Sequence, residues 1–376
     1  MRPLRLLGLM VALAALALVG GCSTMAYYAQ AIHGHLDLLA RSRPVAELIA
    51  EPGTPAPLRA QLELAQRLRE FAISELALPD TRSYRRYAEL PRPAAVWNVV
   101  AAPELSLALQ TWCFPVMGCV GYRGYFDRAG ADALAAELRE RKLEVLVYGV
   151  PAYSTLGWTE WLGGDPLLSS FIGWPEDELA RLIFHELAHQ SAYAADDTSF
   201  NESYATAVER LGSRAWLATR PRAQEQAERA DERRSQWRAF VQAQRQRLQA
   251  LYESGLGDAE KRRRKAELMR RWREDYETMK RERWGGWPGY DEQVARANNA
   301  SFGVQAAYDE LVPAFERLFA REGGDWRRFH AEVRRLAALS KDERRATLQA
   351  LSHGRGLNDR DNEPEESTRA RHPHSS

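Results

Sequence analysis

The stretch IFHELAHQ, residues 183–190, constrains the fold more than any other part of the chain. On a helix, His185 and His189 stand one turn apart on the same face, so both imidazoles can reach one point in space. Two nitrogens are not enough for a catalytic metal, which takes three protein ligands and keeps one position open. The fold must then bring a third donor across from a second element. Glu186 lies beside the pair, on the flank where a metal-bound water would sit, as a general base requires. The context is helical. Trp174-Pro175-Glu176-Asp177-Glu178 places Pro in the first turn and acids at the positive end of the dipole. Leu179, Leu182, Ile183 and Leu187 supply an apolar side. The competing reading is a chance match on a structural helix.

The third donor has a candidate nearby. FNESYATAVERLG, Phe200 to Gly212, predicts a second helix closed by Gly212. Glu202 comes thirteen positions after His189, and Asp196, Asp197 and Thr198 in the gap suit a turn that lays the helices side by side. Glu202 would then complete a two-His, one-Glu set. Glu209, two turns further along the same face, would hydrogen-bond a His from outside and fix its orientation. Each acid also has a plain reading. Ser199-Phe200-Asn201-Glu202 fits a capping box, and Glu209 fits an exposed helix acid. The ligand types point to Zn2+, although cobalt or manganese would suit the same donors.

The N-terminus speaks to location. MRPLRLLGLMVALAALALVGGC has Arg2 and Arg5, an apolar run from Leu6 to Val19, and small residues before Cys22. That is the layout of a secretory signal, residues 1–21, and the run is short for a membrane-spanning helix. The ending resembles a bacterial lipobox, which implies cleavage before Cys22 and a lipid anchor there; a plain secretory signal with an incidental Cys is the alternative. Ser23, with no Asp in its place, resembles the outer-membrane sorting pattern, so the expected location is the cell envelope, anchored to the outer membrane and facing the periplasm. Cys113 and Cys119, in WCFPVMGC, then meet an oxidising compartment and suit a small-loop disulfide; buried free thiols or a partial zinc site are the alternatives.

Composition excludes some classes of function. With 52 basic and 51 acidic side chains the net charge is +1, so no nucleic-acid partner is expected, and no protein partner can be identified. The predicted architecture is α+β and mostly helical. Residues 22–218 hold N-terminal helices, a small sheet and the His/Glu helices. Leu58, Leu62, Ala65, Leu68, Ala72 and Leu76 recur at helical steps, Val96–Ala101 and Leu143–Val150 read as strands, and Ala129–Arg141 as a helix between them. Five of the eleven Trp precede the His pair, which predicts that much of the core lies there. Residues 219–283 are rich in Arg, Glu, Gln, Lys and Ala and break at Ser254–Asp258, which predicts a long polar helical hairpin inserted in the chain. Residues 284–351 return to amphipathic helix, and 352–376 form a polar tail expected to be disordered.

HELAHQ followed by FNESYA resembles the gluzincin peptidases. The aminopeptidase N group has a very similar His-Glu-x-x-His followed by an Asn-Glu pair, and thermolysin likewise takes a Glu from a following helix. More closely, the chain is similar to bacterial lipoproteins described as predicted zinc aminopeptidases, through the lipobox, WCFPVMGCVGYRGYF, HELAHQ, FNESYA and the NNASF stretch. The resemblance implies a zincin-like metalloprotease core, Zn2+ on His185, His189 and Glu202, Glu186 as base, and a peptide substrate. The sequence departs from these families in three places. The gap from His189 to Glu202 is shorter than in the aminopeptidase N group, no Gly-x-Met-Glu-Asn segment occurs, and Thr206 stands where thermolysin-like enzymes carry Asp. Amino-terminal trimming therefore rests on family likeness. The alternatives are a zinc endopeptidase or amidase on envelope protein or peptidoglycan, and a non-catalytic envelope scaffold with a structural metal. Tyr153, Tyr290, Tyr308 and His330 are candidates to steady an oxyanion, with a structural role the favoured reading of each, and Val145–Trp158 is the expected peptide-contact strand.

Overall fold

Helical spacing of Leu62, Ala65, Leu68 and Ala72 buries one side of α3 (Ala56–Ser74), and that side packs on α5 (Glu176–His189). The computed structural model describes residues 27–114, 118–152, 164–195, 197–218, 220–309 and 311–352. Ahead of α3 come α1 (27–41), β1 (Arg43–Pro44) and α2 (Val45–Ala50). After it run β2 (Arg86–Ala88), β3 (Val96–Pro103), β4 (Trp112–Phe114), β5 (Gly118–Val120), β6 (Arg123–Tyr125), α4 (Arg128–Glu140), β7 (Leu143–Val150) and β8 (Leu167–Leu168). Then α5 and α6 (Thr198–Leu217) pack on each other, followed by α7 (Pro221–Glu253) and α8 (Asp258–Arg283). The chain continues through α9 (Asp291–Ala295), α10 (Asn299–Asp309), α11 (Val312–Arg321), α12 (Trp326–Ala337) and α13 (Lys341–Ser352). The architecture is α+β and mostly helical, as the sequence implies.

The main sheet has order β6-β3-β7, antiparallel throughout, with β3 and β7 in register from Val96↔Val150 to Pro103↔Leu143. Alternation sorts its side chains onto two faces. Val99, Ala101, Val145 and Val147 pack on Ala131, Ala135 and Leu138 of α4. Val100, Ala102, Leu146, Tyr148 and Tyr122 face Ala300 and Val304 of α10. On its other side α10 packs against α6. One helix thus carries the position of the sheet across to the His/Glu helices.

A smaller sheet, β1-β2-β8, mixes an antiparallel and a parallel pair; its two- and three-residue strands are too short to show a period in the sequence. On the β4-β5 hairpin, Cys113 and Cys119 face each other across the strands and are joined as a disulfide.

Trp237, Val241, Leu248, Met269, Trp272 and Tyr276 form the seam between α7 and α8. The apolar residues that look sparse along the sequence are gathered on one side of each helix. Lys265 bonds the Glu104 carbonyl at 2.7 Å and pairs with Glu144, which ties the hairpin to the sheet.

The region ahead of the His pair carries much of the core, through Leu38, Leu62, Leu68, Leu76, Phe171 and Phe184 more than through its tryptophans: Trp97, Trp112 and Trp174 are only partly buried, whereas Trp216, Trp237, Trp272 and Trp284 are buried. One expectation is corrected. Gly212 does not close its helix; α6 runs on to Leu217. A Cβ at Gly212 would stand 2.7 Å from Leu76 Cδ1 and 3.1 Å from Phe184 Cδ2, so the glycine permits close approach of the neighbouring helices. Among the described residues no helix is long and apolar enough to cross a membrane. The leader, Cys22 and the tail from 353 lie outside the described residues.

Candidate metal centre

Leu179, Ile183, Phe184 and Leu187 bury one side of α5, each side chain contributing roughly 1.5–3 kcal/mol of apolar burial. That burial fixes the rotation of the helix and turns His185 and His189 towards α6. The turn between the two helices is held at both ends. The Asn201 side chain accepts from Ala194 N at 2.8 Å and donates to Ala194 O at 2.7 Å. Asp197 caps α6 by accepting from Phe200 N at 3.1 Å, and it pairs with Arg344 and Arg345 of α13 at 3.2 Å each. The cap is Asp197, so Glu202 is free of that role and lies at the His pair instead.

His185 Nε2 is 3.2 Å from His189 Nε2 and 3.3 Å from Glu202 Oε2, and His189 Nε2 is 3.8 Å from the same carboxylate oxygen. Donor atoms held tetrahedrally at about 2.1 Å from one ion stand about 3.4 Å apart. The three separations bracket that spacing, so His185, His189 and Glu202 form a group that could hold a metal ion. The donor chemistry agrees. His185 Nδ1 faces Glu209 Oε2 at 3.1 Å, and a nitrogen bonded to a carboxylate must carry the proton. In the neutral ring this leaves the Nε2 lone pair facing a carboxylate and a second imidazole nitrogen, an arrangement compatible with a cation at its centre.

Glu209 is itself anchored. Arg181 of α5 bonds its other oxygen at 2.5 Å and reaches Asp231 of α7 at 2.8 Å, and Arg234 also bonds Asp231 at 2.7 Å. A chain of alternating charges therefore runs from the His185 ring to the hairpin. Burial opposes charge on the Glu209 carboxyl, but Arg181 and His185 outweigh it and bring it down to about 2. Burial also opposes a charged His185, yet hydrogen bonds to Glu202 and Glu209 hold that ring well above its usual value. His189, with no carboxylate accepting a hydrogen bond from it, is pushed down by burial to about 4. Glu202 is held down by the two rings against the effect of its burial.

Glu186 is half-buried beside the pair, and its charge reaches the buried Tyr84, whose hydroxyl is pushed up by burial and then by Glu186 and Asp165. Three further tyrosines, Tyr122, Tyr148 and Tyr193, feel the Glu202 charge, each raised first by burial. Tyr148 accepts from Asn98 Nδ2 at 3.4 Å across the β3-β7 pair.

Tyr290 stacks on Trp237 at 4.3 Å in the hairpin cluster, and His330 joins Tyr204 at 2.7 Å to the Leu76 carbonyl at 2.8 Å inside the core; both hold structure. Tyr153 and the Tyr308 side chain lie outside the described residues. The outer edge of β7 is partly taken, because Asn298 donates to the Val145 carbonyl at 3.1 Å and Arg296 to that of Val147. Those two carbonyls are therefore not open to an added strand; residues 153–158 lie outside the described residues. Sequence reasoning passed over Tyr122, Tyr148 and Arg181. Their signals were slight: Tyr148 alternates onto a strand face, Tyr122 stands just before β6, and Arg181 comes one turn before His185.

Residues 26–348 match the model of a family described as "Putative aminopeptidase". No curated protein and no solved structure matches the chain.

Proposed function

The chain belongs to this aminopeptidase family, and from that premise we propose that it is a zinc-dependent aminopeptidase with a zincin-like core, tethered through a lipid on Cys22 to the outer membrane and acting on peptides in the periplasm. The observation that carries the reading is the convergence of three donor atoms from two helices, 3.2–3.8 Å apart, with Glu209 on the far nitrogen of His185.

His185, His189 and Glu202 would hold the ion. The chemistry it supplies when bound is that of a Lewis acid, polarising a water and the scissile carbonyl. Glu186 receives the proton of the attacking water on its carboxylate and returns it to the leaving amine. Glu209, fixed by Arg181, keeps the proton on His185 Nδ1 and so presents Nε2 to the site. The hydroxyls of Tyr122 and Tyr148, on the sheet face turned to α10, are the donors nearest in kind to what a developing oxyanion needs.

The test uses the purified protein and its Glu186→Gln variant. The reading expects the variant to keep its metal while peptide hydrolysis falls at least a hundredfold. Equal activity in both would refute the role of Glu186. Peptides with free and acetylated amino termini separate trimming from internal cleavage: hydrolysis of the free form alone supports an aminopeptidase, and equal cleavage of both supports an endopeptidase. A protein that unfolds on chelation and cuts neither would be a scaffold with a structural metal.

A further inference from the structure

A cavity of about 400 Å³ lies between the outer edge of the main sheet, the α7/α8 hairpin and the start of α10. Its walls are apolar and aromatic: Leu146, Trp237, Val241, Trp272 and Phe302, with Tyr148 at one side. Volumes of this order are typical of small-ligand sites, and such sites are mostly apolar with a few placed polar groups. The polar groups are informative here. Glu292 and Arg296 are the charged residues among those lining the cavity, and they pair with each other at 2.8 Å, with Glu292 80% exposed. The wall therefore offers no unpaired charge to a charged occupant. The Trp272 indole N–H is buried and has no hydrogen-bond acceptor among the described residues, although Trp272 is only 1% exposed. A buried donor without an acceptor is costly, and an occupant with a carbonyl or hydroxyl oxygen would supply what is missing.

Tyr148 joins the cavity to the metal centre. Its ring lines the cavity, and it shares the α10 face of the sheet with Tyr122. Its hydroxyl, opposite Asn98, lies within electrostatic reach of Glu202. We infer that this cavity is the specificity pocket of the metal site and takes a bulky apolar, preferably aromatic, side chain of the peptide, with the Trp272 N–H meeting an oxygen of the same ligand. The inference rests on the peptidase reading for its substrate, but the pocket is testable without turnover.

The experiment uses the full-length Glu186→Gln protein and two probes with free amino termini, phenylalaninamide and alaninamide. Binding is followed by tryptophan fluorescence and by the indole N–H signals in a nitrogen-proton NMR spectrum. Burying the phenyl group in place of a methyl predicts about 10- to 100-fold tighter binding of the phenylalanine probe. The probe should also shift an indole N–H signal that is lost in Trp272→Phe. In Val241→Trp, which fills the cavity, the preference should fall to near unity; Val304→Trp serves if that variant does not fold. Equal binding of the two probes, or a preference that survives the filled cavity, overturns the pocket. Tight aromatic binding by a protein that hydrolyses no peptide would keep the pocket and refute the peptidase reading. Hydrolysis with no preference for aromatic over alanine peptides would keep the peptidase and refute the pocket.

Discussion

His185 Nδ1 and Glu209 Oε2 lie 3.1 Å apart, and the second oxygen of that carboxylate is held by Arg181 at 2.5 Å. The carboxylate faces the ring from the side away from Glu202, so it sets which nitrogen is presented to the site without entering it. Glu209→Gln keeps a hydrogen-bond acceptor but loses the charge. Metal affinity should fall about 10- to 100-fold, measured by competition with a chelating indicator, while the helical circular-dichroism signal is unchanged.

Arg181 has a different expected signature. Arg181→Met removes the cation between Glu209 and Asp231 and leaves Glu209 buried without its partner. Breaking a buried ion pair from one side costs about 3–5 kcal/mol. The side chain of Arg181 is 9% exposed, so solvent does little to offset that loss. Urea unfolding should show the drop in stability together with weaker metal binding, whereas Glu209→Gln should show chiefly the second.

A similar lock closes the turn between the two site helices. Asp197 and Arg344 are both almost fully buried, with side chains 1% and 2% exposed, and Asp197 also caps α6. Arg344→Leu should therefore destabilise the chain by about 3–5 kcal/mol. The C-terminal helix carrying Arg344 is remote in sequence from the His pair, so this variant tests whether the far end of the chain holds the site together.

The metal-free site has a definite pH dependence. Glu202 and Glu209 hold the His185 ring well above its ordinary value against the effect of burial, so without metal the ring keeps its proton to higher pH than a free imidazole does. The stability given by that proton is fully present below the unfolded value near 6.5 and is lost as pH rises through the raised folded value. Metal binding must expel the same proton. Apparent affinity should then fall as pH is lowered through the raised folded value, read by indicator competition at each pH.

How much of this was legible in the sequence depends on whether the cause was local. His185 and His189 share a face because of helical geometry alone, and β7 spans the Leu143–Val150 stretch its β-branched residues predict. Glu202 was legible as an acid wanted on a second helix, but its choice over the cap required Asp197 to take that role. Gly212 misled because a glycine near the end of a helical pattern usually marks a stop. Here the cause is a tertiary contact with Leu76 and Phe184, which no local pattern records. Arg181, Tyr122 and Tyr148 matter only through partners far along the chain, on α6, α7 and across the sheet.

Gly212→Ala tests that last explanation. In an exposed mid-helix position the change would stabilise by about 1 kcal/mol. Here the added methyl meets two fully buried side chains, so a net destabilisation of about 1–3 kcal/mol is expected in urea unfolding.

The most direct measurement is the metal content of the purified protein, by elemental mass spectrometry, beside Glu186→Gln, His189→Ala and Glu202→Ala. The account predicts close to one zinc per chain in the parent and in Glu186→Gln, and less than about a tenth of that in the other two after mild chelation. Retention of the full equivalent in Glu202→Ala, or no stoichiometric metal in the folded parent, would contradict it.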